Sequence, residues 1–268
     1  MVTGSCRRQI LIQSFGMKIP RIFHQTWKNN DLPDDFRLFM NTWKKHHPSW
    51  EHVLWTDEMN RLFIREKYPG FLPVYDSYET NIQRVDAVRY FIINSFGGVY
   101  VDLDMECVQP LEPLLAAHTC VLGQEPAAHC QLHNKQMIIS NAFIAAAPAH
   151  PFIRKVCTEM FTGIAAPDDQ NDYILESTGP FRITTIYEQM EAAGRPTLAS
   201  FDQLYPLTKD ELQSCPNRKH LLKKYASQLN TAYAIHYYWG TWWKGDRKLP
   251  LLERIWKHIS SPHRTTDC

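Results

Sequence analysis

Apolar positions fall at helical spacing over residues 34–46 and 57–67, and the short apolar runs within 21–24 and 52–55 read as strands, so the chain opens by predicting strand, helix, strand, helix. The second helix runs into Pro69-Gly70, a pair that stops helices. This rhythm predicts an α/β class built on a mostly parallel sheet flanked by helices. A third helical pattern follows, in which Ile82, Val85, Val88 or Arg89, Ile92 and Phe96 share a face. Gly97-Gly98 then predicts a left-handed C-cap and a direct turn into a strand. There Val99, Val101 and Leu103 alternate with Tyr100, Asp102 and Asp104, so a period of two buries the apolar set and aims both carboxylates at one side. Ligands of such sheets sit beyond the carboxyl ends of the strands, where His24-Gln25-Thr26 and the acidic segment are expected to converge.

An Asp-x-Asp tripeptide by itself is commonly a solvated pair, and Asp86 with Arg89 is by itself an i,i+3 ion pair worth little. Their order changes the picture, because the helix that carries Asp86 and Arg89 leads through two glycines straight into the acidic strand. Hard oxygen ligands at i and i+2 suit Mg²⁺ or Mn²⁺ better than a soft-ligand metal.

At this point the sequence resembles a family, the sugar-binding DxD glycosyltransferases of family 32, which include Golgi outer-chain mannosyltransferases and bacterial surface-polysaccharide enzymes. The resemblance runs from Ile19 to about Trp243. Its blocks are IPRIFHQTWK from Ile19, the segment Trp50 to Asp57, IQRVDAVRYFIINSFGGVYVDLDMECVQPLEPLL from Ile82, NAFIAAAPAHPF from Asn141, STGP from Ser177 and IHYYWGTWW from Ile235.

The resemblance implies a GT-A fold, Rossmann-like, and a retaining transfer from a UDP- or GDP-linked nucleotide-sugar with Mn²⁺ or Mg²⁺ bound. It implies that Asp104 holds the metal directly, that Asp102 assists through ribose or metal-bound water, and that His236, at the end of an AYAIH strand, is a third ligand. A lone histidine among aromatics is otherwise a packed core residue. Asp86 and Arg89 match the residues that hold the donor sugar's hydroxyls, whereas Arg84 lies too far round the helix and is either solvated or a phosphate contact. His24, Gln25 and Thr26 match the nucleoside site, where a flat His24 or Trp27 ring would stack on the base; Trp27 is equally a core candidate. Asn141 stands beside small alanines that permit close approach of a ligand, or else caps a strand end. Ser177-Thr178-Gly179 is first an N-cap signal before Pro180 and, by resemblance, lines the acceptor side. Gln124 and Glu125 close a further strand, with Glu125 a candidate partner of Arg89 or of metal-bound water. The aromatic and basic segment 237–248, with Trp243, reads as a lid and sugar platform, a core element or a peripheral membrane contact.

Composition narrows the class. A chain of 268 residues with 44% hydrophobic content suffices for a single catalytic domain, expected over 17–268. Met17 reads as the natural start, because 1–16 has no periodic pattern. With 29 basic and 28 acidic residues, nucleic acid is not the expected partner. Seven cysteines without a CxxC pair argue against a zinc site or a disulfide framework, and Cys130 with His133 is no more than half a metal site. The run Ile10 to Ile12 is too short for a signal core, and Met137 to Ile153 reads as strand, loop and helix start. The expectation is therefore a cytoplasmic enzyme, working at the inner face of the membrane if the acceptor is lipid-linked. The acceptor is a carbohydrate or glycolipid of bacterial surface-polysaccharide or glycolipid synthesis. A protein-modifying glycosyltransferase effector and a non-catalytic nucleotide-sugar binding module are the competing readings.

Overall fold

The structure, a computed structural model, describes residues 17–163, 170–215 and 217–240. The elements run β1 (Ile22–Trp27), α1 (Asp34–His46), β2 (Glu51–Thr56), α2 (Asp57–Lys67), α3 (Leu72–Ser77), α4 (Asn81–Phe96), β3 (Gly98–Val101), β4 (Met105–Cys107), α5 (Glu112–Leu115) and β5 (Cys120–Gln124). They continue through α6 (Ala127–Leu132), β6 (Ile139–Ala146), α7 (Pro151–Glu159), α8 (Gln170–Ser177), α9 (Pro180–Glu188) and β7 (Thr197–Ala199). Four short helices follow, α10 (Phe201–Leu204), α11 (Lys209–Gln213), α12 (Arg218–Lys224) and α13 (Ala226–Leu229), before β8 (Ala234–His236).

A six-stranded sheet has the order β2-β1-β3-β6-β5-β7. β1 is parallel to β2 and β3, β5 is parallel to β7, and β6 alone opposes its neighbours β3 and β5. This is the α/β class predicted, with a mostly parallel sheet. The carboxyl ends of β1, β3 and β5 therefore share one edge with the start of β6. A separate two-stranded sheet pairs β4 with β8, setting Met105 opposite His236.

Helices cover both faces of the large sheet, as a mostly parallel sheet requires. Tyr100, Leu122 and Ile144 pack on one face with Phe91 and Ile92 of α4 and Phe152 of α7. Val99, Val101, Phe143 and Ala145 pack on the other with Phe23 and with Trp43 of α1. The alternation predicted over 99–101 is thus present, but both parities are buried. α4 is buried nearly all round from Asp86 to Ile93, so it is a central helix rather than a one-faced one. A Thr80–Gln83 capping box starts it.

Its end differs from the predicted left-handed cap. Gly97 has φ 63° and ψ −157°, a conformation in practice reserved for glycine, and a Cβ there would lie 2.6 Å from Pro148. At Gly98, with φ +92°, a Cβ would lie 2.6 Å from the Ile22 carbonyl oxygen. The two glycines let α4 turn into the sheet against β1 and the Pro148 loop. Ser177 and Thr178 do not cap α9; Gly179 occupies that position, and a Cβ on it would approach the Ile174 and Leu175 backbone.

Candidate active site

The acidic segment does not continue β3. The strand ends at Val101, and Asp102-Leu103-Asp104 forms a tight turn closed by the Met105 N–H on the Asp102 carbonyl at 3.1 Å. Leu103 leaves the sheet to pack with Leu32, Phe36 and Ile235. The two carboxylates converge because the chain turns, not because a strand alternates. The Asp102 N–H bonds the Ala142 carbonyl of β6 at 2.9 Å, which fixes the turn to the sheet edge.

β8 brings the third group. His236 Nε2 lies 3.2 Å from Asp104 Oδ1. Asp104 is also wrapped by the segment after β8: its carbonyl accepts from the Tyr237 N–H at 3.0 Å and its Oδ2 from the Trp239 N–H at 2.9 Å. Tyr238, held between those two bonds, has φ +50°, a strained value for a residue with a Cβ.

One ligand atom from each of Asp102, Asp104 and His236 lies within 4.8 Å of the others. Ligands about 2.1 Å from an octahedral Mg²⁺ stand roughly 3 Å apart along an edge, close to the His236–Asp104 spacing. Two carboxylates and an imidazole are also a suitable donor set for Mn²⁺ or Mg²⁺. The residues present fit a divalent cation.

Behind the turn lies a buried polar cluster. Arg89 Nη2 is 2.7 Å from Asp86 Oδ1, with side chains 3% and 6% exposed, so this is no surface pair. Arg89 Nη1 donates to the Asn141 carbonyl at 2.8 Å and lies 3.4 Å from Asp102 Oδ1. The guanidinium also sits over the Tyr100 ring at 4.5 Å. Asn141 Nδ2 donates to Asp86 Oδ1 at 3.0 Å. Asn141 is the third residue of β6, so the strand-end cap is excluded. Arg84 turns away and donates to the Tyr78 carbonyl.

Burial pushes the Asp86 carboxyl up to about 7, the nearby Asp102 adding to the rise while Arg89 and the Asn141 hydrogen bond oppose it. Burial would lower Arg89, but Asp102, Tyr100 and Asp86 outweigh it and hold the guanidinium more firmly protonated. Burial also raises Asp102, against the pull of Arg89 and with a further push from Asp104. For Asp104 burial is outweighed by His236 and by the Trp239 N–H, so its carboxyl is lowered. For His236 burial is outweighed by Asp104 and Asp102, and the imidazole is raised.

The nucleoside candidates fare differently. His24, Gln25 and Thr26 belong to β1 rather than to a loop after it. His24 is 2% exposed and both ring nitrogens are engaged. Trp55 Nε1–H donates to its Nδ1 at 3.1 Å, so the proton sits on Nε2 and donates to the Gly97 carbonyl at 3.0 Å. This histidine is a buried strut of the glycine turn and has no face left for a base. Gln25 is also 2% exposed, and its Nε2 is buried without a protein partner. Thr26 Oγ1 bonds the Tyr100 hydroxyl at 2.9 Å, and that hydroxyl donates to Asp102 Oδ1 at 2.9 Å, so Thr26 reaches the site through Tyr100. Trp27 packs edge-on against Phe36 at 4.9 Å. Glu125 pairs with His129 at 3.1 Å rather than with Arg89. Cys130 is buried and free, as are the other described cysteines. Residues 1–16 and Trp243, with the rest of the segment after Gly240, lie outside the described residues.

Sequence reading missed Tyr100, Tyr238 and the Trp239 N–H. The first had a signal, because it shares the parity of Asp102. The other two become visible only once β8 is paired with β4.

Residues 33–121 match the profile described as "Glycosyltransferase sugar-binding region containing DXD motif". This stretch belongs to the DXD glycosyltransferase family. Inositol phosphoceramide mannosyltransferase 1 of Schizosaccharomyces pombe is 42% identical over 140 residues, 51% of this chain and 41% of that protein. Mannosyl phosphorylinositol ceramide synthase CSH1 of Saccharomyces cerevisiae is 36% identical over 176 residues, 64% of this chain and 43% of that protein. The chain thus spans less than half the length of these relatives, which are fungal and not bacterial. The solved structure of galactosyltransferase LgtC with donor and acceptor sugar analogs aligns over 81% of this chain and 86% of that one, at 13% identity and a TM-score of 0.45.

Proposed function

We propose that the protein transfers a sugar, a mannosyl unit by analogy with its relatives, from a nucleotide-sugar to a hydroxyl of a glycolipid acceptor, with a divalent cation bound. One observation carries this reading: Asp102, Asp104 and His236 come from distant segments into one ligand-sized triangle, backed by the buried Asp86–Arg89 pair. The relatives' names favour an inositol phosphoceramide type of acceptor over a surface polysaccharide. No described helix is long and apolar enough to cross a membrane.

Asp102, Asp104 and His236 would hold the cation, which when bound offsets negative charge growing on the departing diphosphate. Arg89 stands 3.4 Å from Asp102, favours its ionised form against the larger effect of burial, and helps to aim it. Tyr100 fixes its Oδ1 from the other side. Asp86 is 5% exposed and pinned by Arg89 and Asn141, an orientation from which its second oxygen can accept from a donor-sugar hydroxyl. Retention of the anomeric configuration follows if the acceptor oxygen attacks on the face that the diphosphate leaves. The new C–O bond forms as the C–O bond to phosphate breaks, and the acceptor proton passes to the released phosphate oxygen.

The test is nucleotide release from a panel of UDP- and GDP-sugars with Mn²⁺, against the same panel in EDTA. Selective, EDTA-sensitive release from one donor is expected, abolished in the Asp102→Asn, Asp104→Asn double variant. Release that survives either treatment would overturn the reading.

A further inference from the structure

Glu125 and His129 form a carboxylate–imidazole pair that the donor and metal chemistry leaves unused. His129 Nδ1 lies 3.1 Å from Glu125 Oε2, with side chains 12% and 15% exposed. An i,i+4 pair on a solvated helix face would be unremarkable and worth little, but this one is mostly covered and sits at the functional edge of the sheet. Glu125 directly follows β5, where its N–H bonds the Ile138 carbonyl at 2.9 Å. β3 and β5 point the same way with β6 between them, and the pairing sets Asp102 beside Ala142 and Glu125 beside Ile138, so Glu125 extends past the Asp102 turn at the same edge of the sheet.

Side chains join Glu125 to the Asp104–His236 pair. His129 meets the Tyr238 ring edge-on at 4.7 Å, and Tyr238 meets the His236 ring at 4.2 Å. The Tyr238 hydroxyl and His236 Nδ1 are buried without a protein partner. Buried polar atoms are seldom left unpaired, so two of them together call for a hydrogen-bonding guest or ordered water. The charge of Glu125 is felt at His236, Tyr238 and Tyr205. Glu125 Oε2 is taken by His129, which orients the carboxylate and turns its other oxygen into a ready acceptor.

We infer that Glu125, oriented by His129, anchors the acceptor, accepting hydrogen bonds from hydroxyls of a polyol ring that lies against Tyr238 beside the cation triangle. This rests on the transferase reading and extends it by naming the acceptor side and its chemistry. A carboxylate, an imidazole and an aromatic edge suit neighbouring hydroxyls on a neutral ring, whether that ring belongs to a sugar or to an inositol headgroup.

The test uses the full chain and two acceptors, inositol phosphoceramide in mixed micelles and methyl α-mannoside in solution, with the donor found by nucleotide release. Donor dissociation constants come from thermal-shift titration without acceptor. Glu125→Gln should raise the acceptor KM about tenfold or more, the cost of losing a charge-assisted hydrogen bond, while the donor constant stays within about twofold. His129→Gln, which loosens the carboxylate without removing it, should raise the acceptor KM less, and it serves if the first variant fails to fold. Transfer to the micellar acceptor alone assigns the ring to a lipid headgroup, and transfer to the soluble one assigns it to a sugar; either supports the inference. An unchanged acceptor KM, or donor binding weakened as much as acceptor binding, would overturn it. Donor binding by the wild type without transfer to either acceptor would overturn the polyol assignment alone, and absence of donor binding would overturn the transferase reading first.

Discussion

Acid should weaken this fold through His24. The ring is held neutral because its only free basic nitrogen, Nδ1, already accepts the Trp55 indole N–H at 3.1 Å. A proton added there would face another N–H in a buried site. Burial accordingly lowers the imidazole from 6.5 to about 4, against a smaller upward pull from the Gly97 carbonyl. Because the folded value is depressed, the unfolded chain binds the extra proton between about 6.5 and 4, and stability must fall as pH drops through that window. The full gap of about 2.5 units corresponds to about 3 kcal/mol, and about 2 kcal/mol of it is lost between pH 7 and pH 5. His52 is lowered to about 4 by burial and by Lys44, so it contributes in the same direction. Urea unfolding at pH 7, 6 and 5 reads the total, and His24→Gln isolates one residue. The amide can still donate to the Gly97 carbonyl but cannot titrate, so the variant should start less stable and lose about 2 kcal/mol less on acidification. Equal losses in wild type and variant would refute the assignment of His24 as a buried neutral strut.

Gly98→Ala should cost about 3 kcal/mol or more, since a Cβ at φ +92° would meet the Ile22 carbonyl oxygen at 2.6 Å; near-native urea stability would contradict the geometry of that turn. Asn141→Ala removes the amide donor to Asp86 and should cost about 1–3 kcal/mol in thermal unfolding, with an unchanged midpoint counting against the buried network. Mn²⁺ at about 100 times its dissociation constant should stabilise the wild type by about 2.7 kcal/mol. Asp104→Asn should lose most of that gain while retaining an oxygen for the Trp239 N–H, and an equal Mn²⁺ shift in both proteins would exclude Asp104 as a ligand.

The parts of the fold governed by local pattern were readable in the chain. α1 and α2 occupy the predicted 34–46 and 57–67, with acidic residues in their first turns and basic ones in their last. α3 and α10 to α13, of four to seven residues each, fall below the length at which helical periodicity declares itself. The cluster of Asp102, Asp104 and His236 was legible by residue type, but its geometry was not. Leu103 looks like one more inward strand residue, and only the pairing of β4 with β8 reveals that it packs elsewhere and forces a turn. His24 misled for a related reason. Its place near the edge of the sheet suggested a ligand, whereas the indole and carbonyl that occupy it come from Trp55 and Gly97. Arg89 was likewise read toward the sugar alone, because its contact with the Asn141 backbone spans 52 residues of sequence.

The bond from the Trp239 N–H to Asp104 spans 135 residues. The stretch that carries the family signature, 33–121, therefore contains two corners of the Asp102–Asp104–His236 triangle and none of the strap that closes it. A growing or clipped chain that stops short of residue 234 would own a complete DXD sequence and an incomplete site. Completion of the triangle therefore waits for the chain beyond residue 234, and the acidic turn lacks its third corner until the last described strand docks beside β4.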